Sequence, residues 1–392
     1  MVAELSTGKG HGAASFLRFT LNGSAALEDR LAAICGKVRS GCERILTPRQ
    51  LEGIVLGGGY GRGEGGVLKT AAGDEPYNDL EFYIFVRDNP RLYDRLYAGE
   101  FHRLSEELTR AEGIEIELKI TSRDKLRRSP SSLFYHDLVV GHRCIMGDES
   151  LFRGCEHHAR GRRLPPTEAT RLLMNRLSGL LFAREKIEGP DWGSDDADFV
   201  HRNIAKTELA LGDALLIDSR KYHWSCLKRS ERLHSFEPIE ELPWLGELRA
   251  RHTRGVDFKL HPQKIFRSRS ALQTELDSVS VLALKVWLWL ENFRLGSDFS
   301  TATDYACSSV NKWAGGKAWW NILANARVFG PGSVLDPRMG RHPRDRVLNA
   351  LALLLWSPVG SSKEIRQKVH RELLMREGAL IPAYRERWRW VS

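Results

Sequence analysis

Length, composition and charge narrow the classes of protein to which this chain can belong. Its 392 residues are too many for one ordinary hydrophobic core, which predicts two or three domains. With 42% hydrophobic and 28% charged residues, the chain is neither disordered nor fibrous. The formal net charge of +9 suits a polyanionic partner such as a nucleotide or RNA, or reflects only a basic surface, because the arginines form no dense tract.

The cysteines and the apolar stretches indicate the compartment. Six cysteines without a C-x-x-C pair predict reduced thiols and argue against a disulfide framework. The N-terminus lacks the apolar run of a signal peptide. The most apolar stretches, 281–290 and 347–356, fall short of the ~20 residues that cross a membrane. We therefore expect a soluble, cytoplasmic protein without a membrane partner.

The first part of the chain predicts alternating helices and strands. A helix is expected over 24–45, because one apolar stripe recurs at helical spacing (Leu27, Leu31, Ile34 and Val38). A short strand at 53–56 runs into the loop GGGYGRGEGG, and a second strand covers DLEFYIFV at 79–86. A helix over 91–111 and an alternating strand, IEIELKI at 114–120, complete a small α/β unit that ends near residue 155.

The rest of the chain predicts helices. The proline-containing stretch 159–170 is interpreted as a linker. Helical patterns follow it at 167–187, 198–219, 271–295, 316–328, 343–356 and 361–377. The fold class is therefore α+β, a small mixed-sheet domain followed by a large α-helical region. The predicted divisions are an N-terminal helical segment (1–45), the α/β domain (46–158), a helical domain (167–300) and a C-terminal helical subdomain (301–392).

The glycine-rich loop after the first strand predicts a phosphate site. Successive glycines let the backbone approach a ligand closely and point N–H groups at it, which suits phosphate oxygens. Arg62 adds a cation that meets phosphate in bidentate fashion. The alternative is a tight turn without a ligand, although glycine loses much conformational entropy on folding.

Two carboxylates on the second strand predict a metal site. Asp79 and Glu81 are two residues apart, so both side chains point to one face of the strand and Leu80 and Phe82 to the other. Paired carboxylates repel each other unless a cation lies between them, and Mg²⁺ prefers such ligands together with substrate phosphates. By itself the D-x-E pattern is also typical of a solvated strand face, but here it follows a glycine loop.

The third strand offers a further carboxylate. Glu117, or its same-face neighbour Glu115, completes the metal site or accepts the proton of an attacking hydroxyl if this strand lies beside the second. The alternative is that both glutamates face water and pair with Lys119. The sequence leaves open which of these arrangements holds.

These motifs carry a resemblance to a known family. GGYGRGE (58–64) followed by N-D-L-E (78–81) resembles the catalytic signature of the DNA polymerase beta-like nucleotidyltransferase superfamily. The loop is similar to that of the uridylyltransferases that modify the PII protein, and the domain layout is similar to that of antibiotic nucleotidyltransferases. The resemblance covers about residues 45–155. The chain departs from the pattern in a longer loop before Asp79, in Asn78 where serine is common, and in glutamate at the second carboxylate.

The resemblance implies an activity and a set of roles. The activity is transfer of an NMP from an NTP, with ATP as the default, to a hydroxyl acceptor with release of pyrophosphate. Two Mg²⁺ ions are implied, with Asp79, Glu81 and Glu117 as catalytic residues and metal ligands. Nucleotide contacts are implied for Gly58, Gly59, Tyr60 and Arg62 in the loop, and for Lys206 on a helix of the following domain. Lys206 alternatively forms an ion pair.

Several other readings of the sequence lead to different functions. A small molecule or a protein is the favoured acceptor, because no compact basic-aromatic tract predicts RNA, and an RNA 3′-end transferase is an alternative. A non-catalytic nucleotide-binding regulator is another. Gly61, Gly63 and Gly66 match the spacing of a dinucleotide fingerprint, but the following segment VLKTAAGDEPYN leaves no room for its crossover helix. The further motifs of a kinase and a Walker A motif are missing from the sequence. Cys155, His157 and His158 fit no standard zinc spacing and indicate a polar loop.

Overall fold

The protein has an α+β fold with its sheet in the N-terminal part of the chain, which confirms the predicted class. A computed structural model describes residues 18–77, 79–87, 89–264, 267–357, 363–375 and 377–392. These residues form two compact units. The first contains the chain through Leu164 together with Tyr222–Glu231 and Val256–Gln263, and the second contains Pro165–Lys221, Arg232–Gly255 and Lys264–Ser392.

The first unit holds the strands of the described chain. Its elements in order are α1 (Ala25–Ile45), β1 (Leu51–Leu56), α2 (Gly58–Gly61), β2 (Val67–Thr70), β3 (Gly73–Pro76), β4 (Leu80–Val86), α3 (Pro90–Glu112), β5 (Ile116–Thr121), α4 (Arg123–Arg128), α5 (Leu133–Val140) and β6 (Arg143–Met146). Two 3-10 turns follow at Glu149–Phe152 and Gly161–Arg163. The predicted helices and strands of this region are confirmed to within a few residues at each end.

The main sheet has four strands in the order β5-β4-β1-β6. Strand β1 is antiparallel to both β4 and β6, whereas β4 and β5 are parallel and are joined by helix α3. A parallel pair needs such a crossover, because a tight turn can only join antiparallel strands. The pairing places the start of β4 and the start of β5 side by side. That edge carries the predicted carboxylates.

Helix α1 covers one face of this sheet. Ser24 caps its first turn by accepting a hydrogen bond from the backbone N–H of Leu27. The predicted apolar stripe is confirmed, since its four residues are at most 1% exposed and belong to one core with Phe82 and Ile84 of β4. Burial of this stripe holds the helix against the strand that leads into the site.

The segment that lengthens the loop before Asp79 forms a two-stranded hairpin, β2 and β3, which was not predicted. Val67 pairs with Pro76 and Thr70 with Gly73. Gly73 has a φ of +126°, a conformation that favours glycine at the turn. Asn78 lies outside the described residues, as do residues 1–17 of the predicted N-terminal segment.

The second unit is helical. Helices α6 (Thr167–Glu188), α7 (Ser194–Asp218), α10 (Arg269–Leu295), α11 (Ala302–Cys307), α12 (Ala318–Phe329), α13 (Arg344–Trp356), α14 (Lys363–Glu372) and α15 (Leu380–Val391) lie in it, and α8 (Cys226–His234) and α9 (Leu245–Leu260) contribute residues to both units. The predicted helices are confirmed except for the end of the last one. The helix expected over 361–377 is Lys363–Glu372, and the described residues 373–375 are not helical, with Leu374 at a φ of +49°. Positions 361–362 and 376 lie outside the described residues. The boundary at Leu164 falls within the predicted linker, and the division at residue 300 stays a prediction.

The long helices of the second unit are buried on several sides. In α13, eleven consecutive residues from Asp345 to Leu355 are buried, and Trp287 of α10 is fully buried. Such all-round burial explains why the apolar runs in this region are long. Among the helices of the described residues, none combines the length and the apolar composition that a membrane crossing requires.

Candidate functional site

The glycine turn begins where β1 leaves the sheet. The Gly57 N–H donates to the carbonyl of Glu81 at 2.9 Å, which ties the turn to β4. Gly58 has a φ of +63°, in the left-handed region that disfavours other residues. A Cβ on Gly61 would lie 2.2 Å from the Leu56 carbonyl oxygen, so the chain can fold back on β1 only with glycine there. The backbone conformation at Gly58 and the close packing at Gly61 therefore require glycine whether or not a ligand binds.

The turn brings its backbone close to a carboxylate. A Cβ on Gly58 would lie 3.2 Å from Oε2 of Glu81, and the next residue, Gly59, accepts a hydrogen bond from the Glu64 N–H at 2.8 Å. The side chain of Tyr60 is buried, and its hydroxyl donates to the Gly66 carbonyl at 2.7 Å. Tyr60 therefore holds the loop together through its side chain, and its predicted contact with a nucleotide stays a prediction, as do those of Gly58 and Gly59.

Three carboxylates meet beside this turn. Asp79 directly precedes β4, Glu81 lies on it, and Glu117 of β5 is the register partner of Glu81 in the parallel pair. The ligand oxygens of the three residues all lie within 4.8 Å of one another. Asp79 is exposed and the two glutamates are half-buried, so the group is open to a ligand. The three predicted metal ligands are thus brought together.

Of the two glutamates left open on β5, only Glu117 belongs to this group. Glu115 is exposed, and its backbone carbonyl accepts a hydrogen bond from the Leu80 N–H at 2.9 Å. The parallel register explains the difference, because it aligns Glu117 with Glu81 and leaves Glu115 before the start of β5. The sequence alone could not supply this register.

Lys119 lies against the same carboxylates. Its ammonium is 2.8 Å from Oε1 of Glu81 and 2.5 Å from Oε2 of Glu117. Burial opposes the charged form, but the hydrogen bonds to Glu117 and Glu81 outweigh it and raise the pKa of Lys119 above its ordinary value. Burial, followed by the charge of Glu81, raises the pKa of the neighbouring Tyr83 hydroxyl. The Lys119 ammonium therefore pairs with both glutamates of the group.

The donor set of this group fits Mg²⁺. All three ligands are carboxylates, the oxygen donors that Mg²⁺ prefers, and Gly58 has no side chain to fill the space beside Glu81. Lys119 competes for two of the same oxygens, so a metal ion would have to share them with the ammonium or displace it.

Arg62 occupies a buried ion pair. Its guanidinium is 3.0 Å from Oδ2 of Asp137, with a side chain only 10% exposed, and it packs against Gly141. Asp137 also accepts a hydrogen bond from the Tyr222 hydroxyl at 3.2 Å. The predicted phosphate contact of Arg62 stays a prediction. It would require Arg62 to leave this pair, and Asp137 would then lose the guanidinium that compensates its charge.

A second charged residue of the loop, Glu64, is also buried. It accepts hydrogen bonds from the Ser225 hydroxyl at 2.5 Å and the Cys226 N–H at 3.0 Å. Burial alone would raise the pKa of Glu64, but the Lys259 ammonium, these hydrogen bonds and Arg62 together lower it. The glycine loop is therefore fastened to Tyr222–Glu231, which no pattern in the sequence indicated.

Lys259 is a cation near the loop that the sequence reading did not single out. Burial lowers the pKa of its ammonium, and the positive charges of Arg62 and Arg229 lower it further, although Cys226 and Glu64 act in the opposite direction. Its position at the end of α9 follows an ordinary helical pattern, so only the tertiary structure shows it beside the loop.

Two further predictions concern Lys206 and the segment that contains Cys155, His157 and His158. Lys206 is exposed on α7 of the second unit, so its contact with a triphosphate stays a prediction. The rings of His157 and His158 meet the backbone carbonyls of Ser129 and Leu126 at 3.0 and 2.9 Å, and Cys155 is buried. These contacts agree with the interpretation of that segment as a polar loop.

The arrangement of the carboxylates can do one kind of chemistry well. Oxygen ligands on two adjacent strands can hold divalent cations, and a glycine turn beside them leaves room for a phosphorylated substrate. Positioning and charge neutralisation would then supply the catalysis. Comparison of the chain with protein-family models, curated proteins and solved structures finds no match.

Proposed function

We propose that the protein is a Mg²⁺-dependent nucleotidyltransferase, which moves an NMP from an NTP to a hydroxyl acceptor and releases pyrophosphate. The observation that carries the proposal is the convergence of Asp79, Glu81 and Glu117 within 4.8 Å of one another, with Glu81 beside Gly58 of the glycine turn. Acidic side chains at the starts of two adjacent strands, beside such a turn, suit a metal-bound triphosphate.

Each residue of the site has a role in this proposal. Asp79, Glu81 and Glu117 would hold Mg²⁺, which when bound neutralises phosphate charge and favours in-line displacement at the α-phosphate. The backbone of Gly58 and Gly59 lets the phosphates approach β4 closely. Alternatively, Glu117 would accept the proton of the acceptor hydroxyl. The carboxylates would thus act by holding the ions that position the reactants and offset the negative charge that develops on the phosphate oxygens.

The substrates are proposed from chemistry. ATP is the default nucleotide, and the acceptor is a hydroxyl of a small molecule or of a protein side chain. An RNA 3′ end is the less favoured acceptor, because the chain carries no compact basic and aromatic tract of the kind that binds single strands. Incubation of the purified protein with labelled nucleotides and a cell extract, followed by identification of the labelled product, would show which acceptor is used.

Pyrophosphate release in matched variants tests the activity itself. Asp79→Asn, Glu81→Gln and Glu117→Gln should each lower the magnesium-dependent rate at least about 100-fold, because each removes a ligand of the Mg²⁺ that would offset charge in the transition state. Glu115→Gln is the control, since this exposed glutamate directly precedes β5 and lies outside the group. Thermal unfolding of every variant checks the fold. Equal rates in the wild type and in Asp79→Asn would refute the proposal.

One observation favours a second candidate function. Lys119 already satisfies Glu81 and Glu117, as a fixed ammonium can in a protein that needs no metal. Such a protein would be a nucleotide-binding regulator. ATP binding that is unchanged by chelation of Mg²⁺ and by Asp79→Asn, without pyrophosphate release, would support the regulator and contradict the enzyme.

A further inference from the structure

A second group of metal-ligating side chains lies outside the carboxylate site. His142 directly precedes β6, Cys144 lies on β6, and Glu149 begins the following 3-10 turn. The ligand atoms of the three residues all lie within 4.8 Å of one another. The proposed function uses none of these residues, so this group needs an explanation of its own.

The local backbone explains how the three side chains meet. His142 and Cys144 are two residues apart at the start of an edge strand, which points both to one side. Gly147 then reverses the chain with a φ of +87°, and Asp148 caps the new turn by accepting a hydrogen bond from the Ser150 N–H at 2.8 Å. The reversal returns Glu149 to the strand, where its Oε1 lies 3.4 Å from Nε2 of His142.

The surroundings of the His142 imidazole indicate a ligand. Its side chain is only 7% exposed and lies against the Phe152 ring, with 4.1 Å between the ring centroids. Neither ring nitrogen completes a hydrogen bond, although the carbonyls of Leu138 and Val139 and the carboxylate of Glu149 are near. Buried polar groups are nearly always satisfied, and a cation shared with Cys144 and Glu149, whose ligand atoms lie within 4.8 Å, would satisfy one of these nitrogens.

We propose that His142, Cys144 and Glu149 bind a Zn²⁺ ion. Imidazole, thiolate and carboxylate are zinc ligands, whereas Mg²⁺ and Ca²⁺ take oxygen donors. With Zn–N and Zn–O bonds of about 2.0 Å, tetrahedral ligands are about 3.3 Å apart, close to the 3.4 Å between His142 and Glu149. Cys144 gives up its proton to solvent on binding, so thiolate and carboxylate together balance the charge of the ion.

The ion would fasten the turn at Glu149 to the sheet edge. Three protein ligands leave a fourth position, and the Glu149 side chain is 78% exposed, so this position opens to solvent and takes a water molecule. The same exposure gives the ion a route of entry. The site is independent of the carboxylate group at Asp79, which lies on the opposite side of β1 in the strand order.

Zinc titration of the full-length chain tests the proposal. The protein is stripped with a chelator and titrated with Zn²⁺ against a chromogenic competitor, with excess Mg²⁺ to occupy the carboxylate group. We expect one equivalent to bind, with affinity lowered more than about tenfold in Cys144→Ser and His142→Asn, since loss of even outer-shell partners weakens metal binding 10- to 100-fold. Cys307→Ser, at an exposed thiol, is the matched control and should bind like the wild type.

Two further readouts use protein in which the three proposed ligands are unchanged. Cobalt(II) should give a thiolate charge-transfer absorption in the wild type and in Cys307→Ser. Zinc should protect Cys144, but not Cys307, from alkylation in peptide mapping of the unmutated protein. Full occupancy in Cys144→Ser, no binding at micromolar Zn²⁺, or alkylation of Cys144 at the same rate with and without zinc would each overturn the proposal.

Discussion

Replacement of Lys119 by methionine tests how the carboxylate group is held together without a metal. The ammonium lies 2.8 Å from Glu81 and 2.5 Å from Glu117. All three side chains are partly exposed, and such ion pairs contribute about 0.2–1 kcal/mol each. The variant loses both of these pairs. We therefore expect the free energy of unfolding to fall by about 0.4–2 kcal/mol at low salt.

Thermal unfolding at a series of MgCl₂ concentrations measures this effect. A change of 1 kcal/mol shifts the melting temperature by roughly 2–4 °C for a unit of 150–250 residues, so the loss is well within detection. Millimolar Mg²⁺ should stabilise Lys119→Met more than the wild type, because the ammonium no longer competes for Glu81 and Glu117. NaCl at equal ionic strength separates this from screening. Lys125→Met, at an exposed lysine of α4, is the control.

Two results would each contradict a different part of the role assigned to Lys119. An unchanged melting temperature in Lys119→Met at low salt would show that the ammonium does not hold the carboxylates. A response to Mg²⁺ that is no larger in Lys119→Met than in the wild type would show that the metal and Lys119 do not share ligands. Either result would refute the account given for this group.

Three further predictions concern the glycine loop and its surroundings. Gly58→Ala places a Cβ at a φ of +63° and 3.2 Å from a carboxylate oxygen, so the free energy of unfolding should fall by about 1–2 kcal/mol. The control is Gly36→Ala, in a helix where no atom lies within 4 Å of the added Cβ, and it should raise the free energy of unfolding by about 0.5–1 kcal/mol. The pKa of Glu64 is lowered on folding, so its stabilising contribution is present above pH 4.5 and is lost as the pH falls through the folded pKa; Glu64→Gln should flatten this part of a urea-unfolding profile. Arg62→Met breaks a buried pair and should lower the free energy of unfolding by about 2–4 kcal/mol, whereas Arg39→Met removes an exposed pair and should change it by less than about 1 kcal/mol.

Each of these has an outcome that contradicts it. Equal stability of Gly58→Ala and the wild type would mean that the turn adopts another conformation. If the free energy of unfolding fell as steeply at acid pH in Glu64→Gln as in the wild type, other groups would cause the pH dependence. A loss in Arg62→Met no larger than in Arg39→Met would mean that the pair with Asp137 is not buried in solution.

Local sequence determined the elements that carry the site. The apolar stripe of α1 and the β-prone run of β4 follow from side-chain periodicity, which depends only on neighbours in the chain. The same periodicity put Asp79 and Glu81 on one face. These predictions held because burial of one face enforces the pattern that the residues already show.

Tertiary structure decided which charged groups meet. The choice of Glu117 over Glu115, the placement of Lys119 against Glu81, and the burial of Arg62 against Asp137 all depend on strand register and on contacts between distant segments. Side-chain spacing along the chain does not encode such pairings, because register is fixed by packing across strands.

The zinc proposal shows the same division at a smaller scale. His142, Cys144 and Glu149 lie within eight positions, yet their spacing matches no standard motif, and only the reversal at Gly147 brings the carboxylate back to the imidazole. A backbone turn is set by the φ that glycine permits and by the hydrogen bonds around it. Residue types therefore determined which chemistry the chain can hold, and the folded backbone decided where those groups come together.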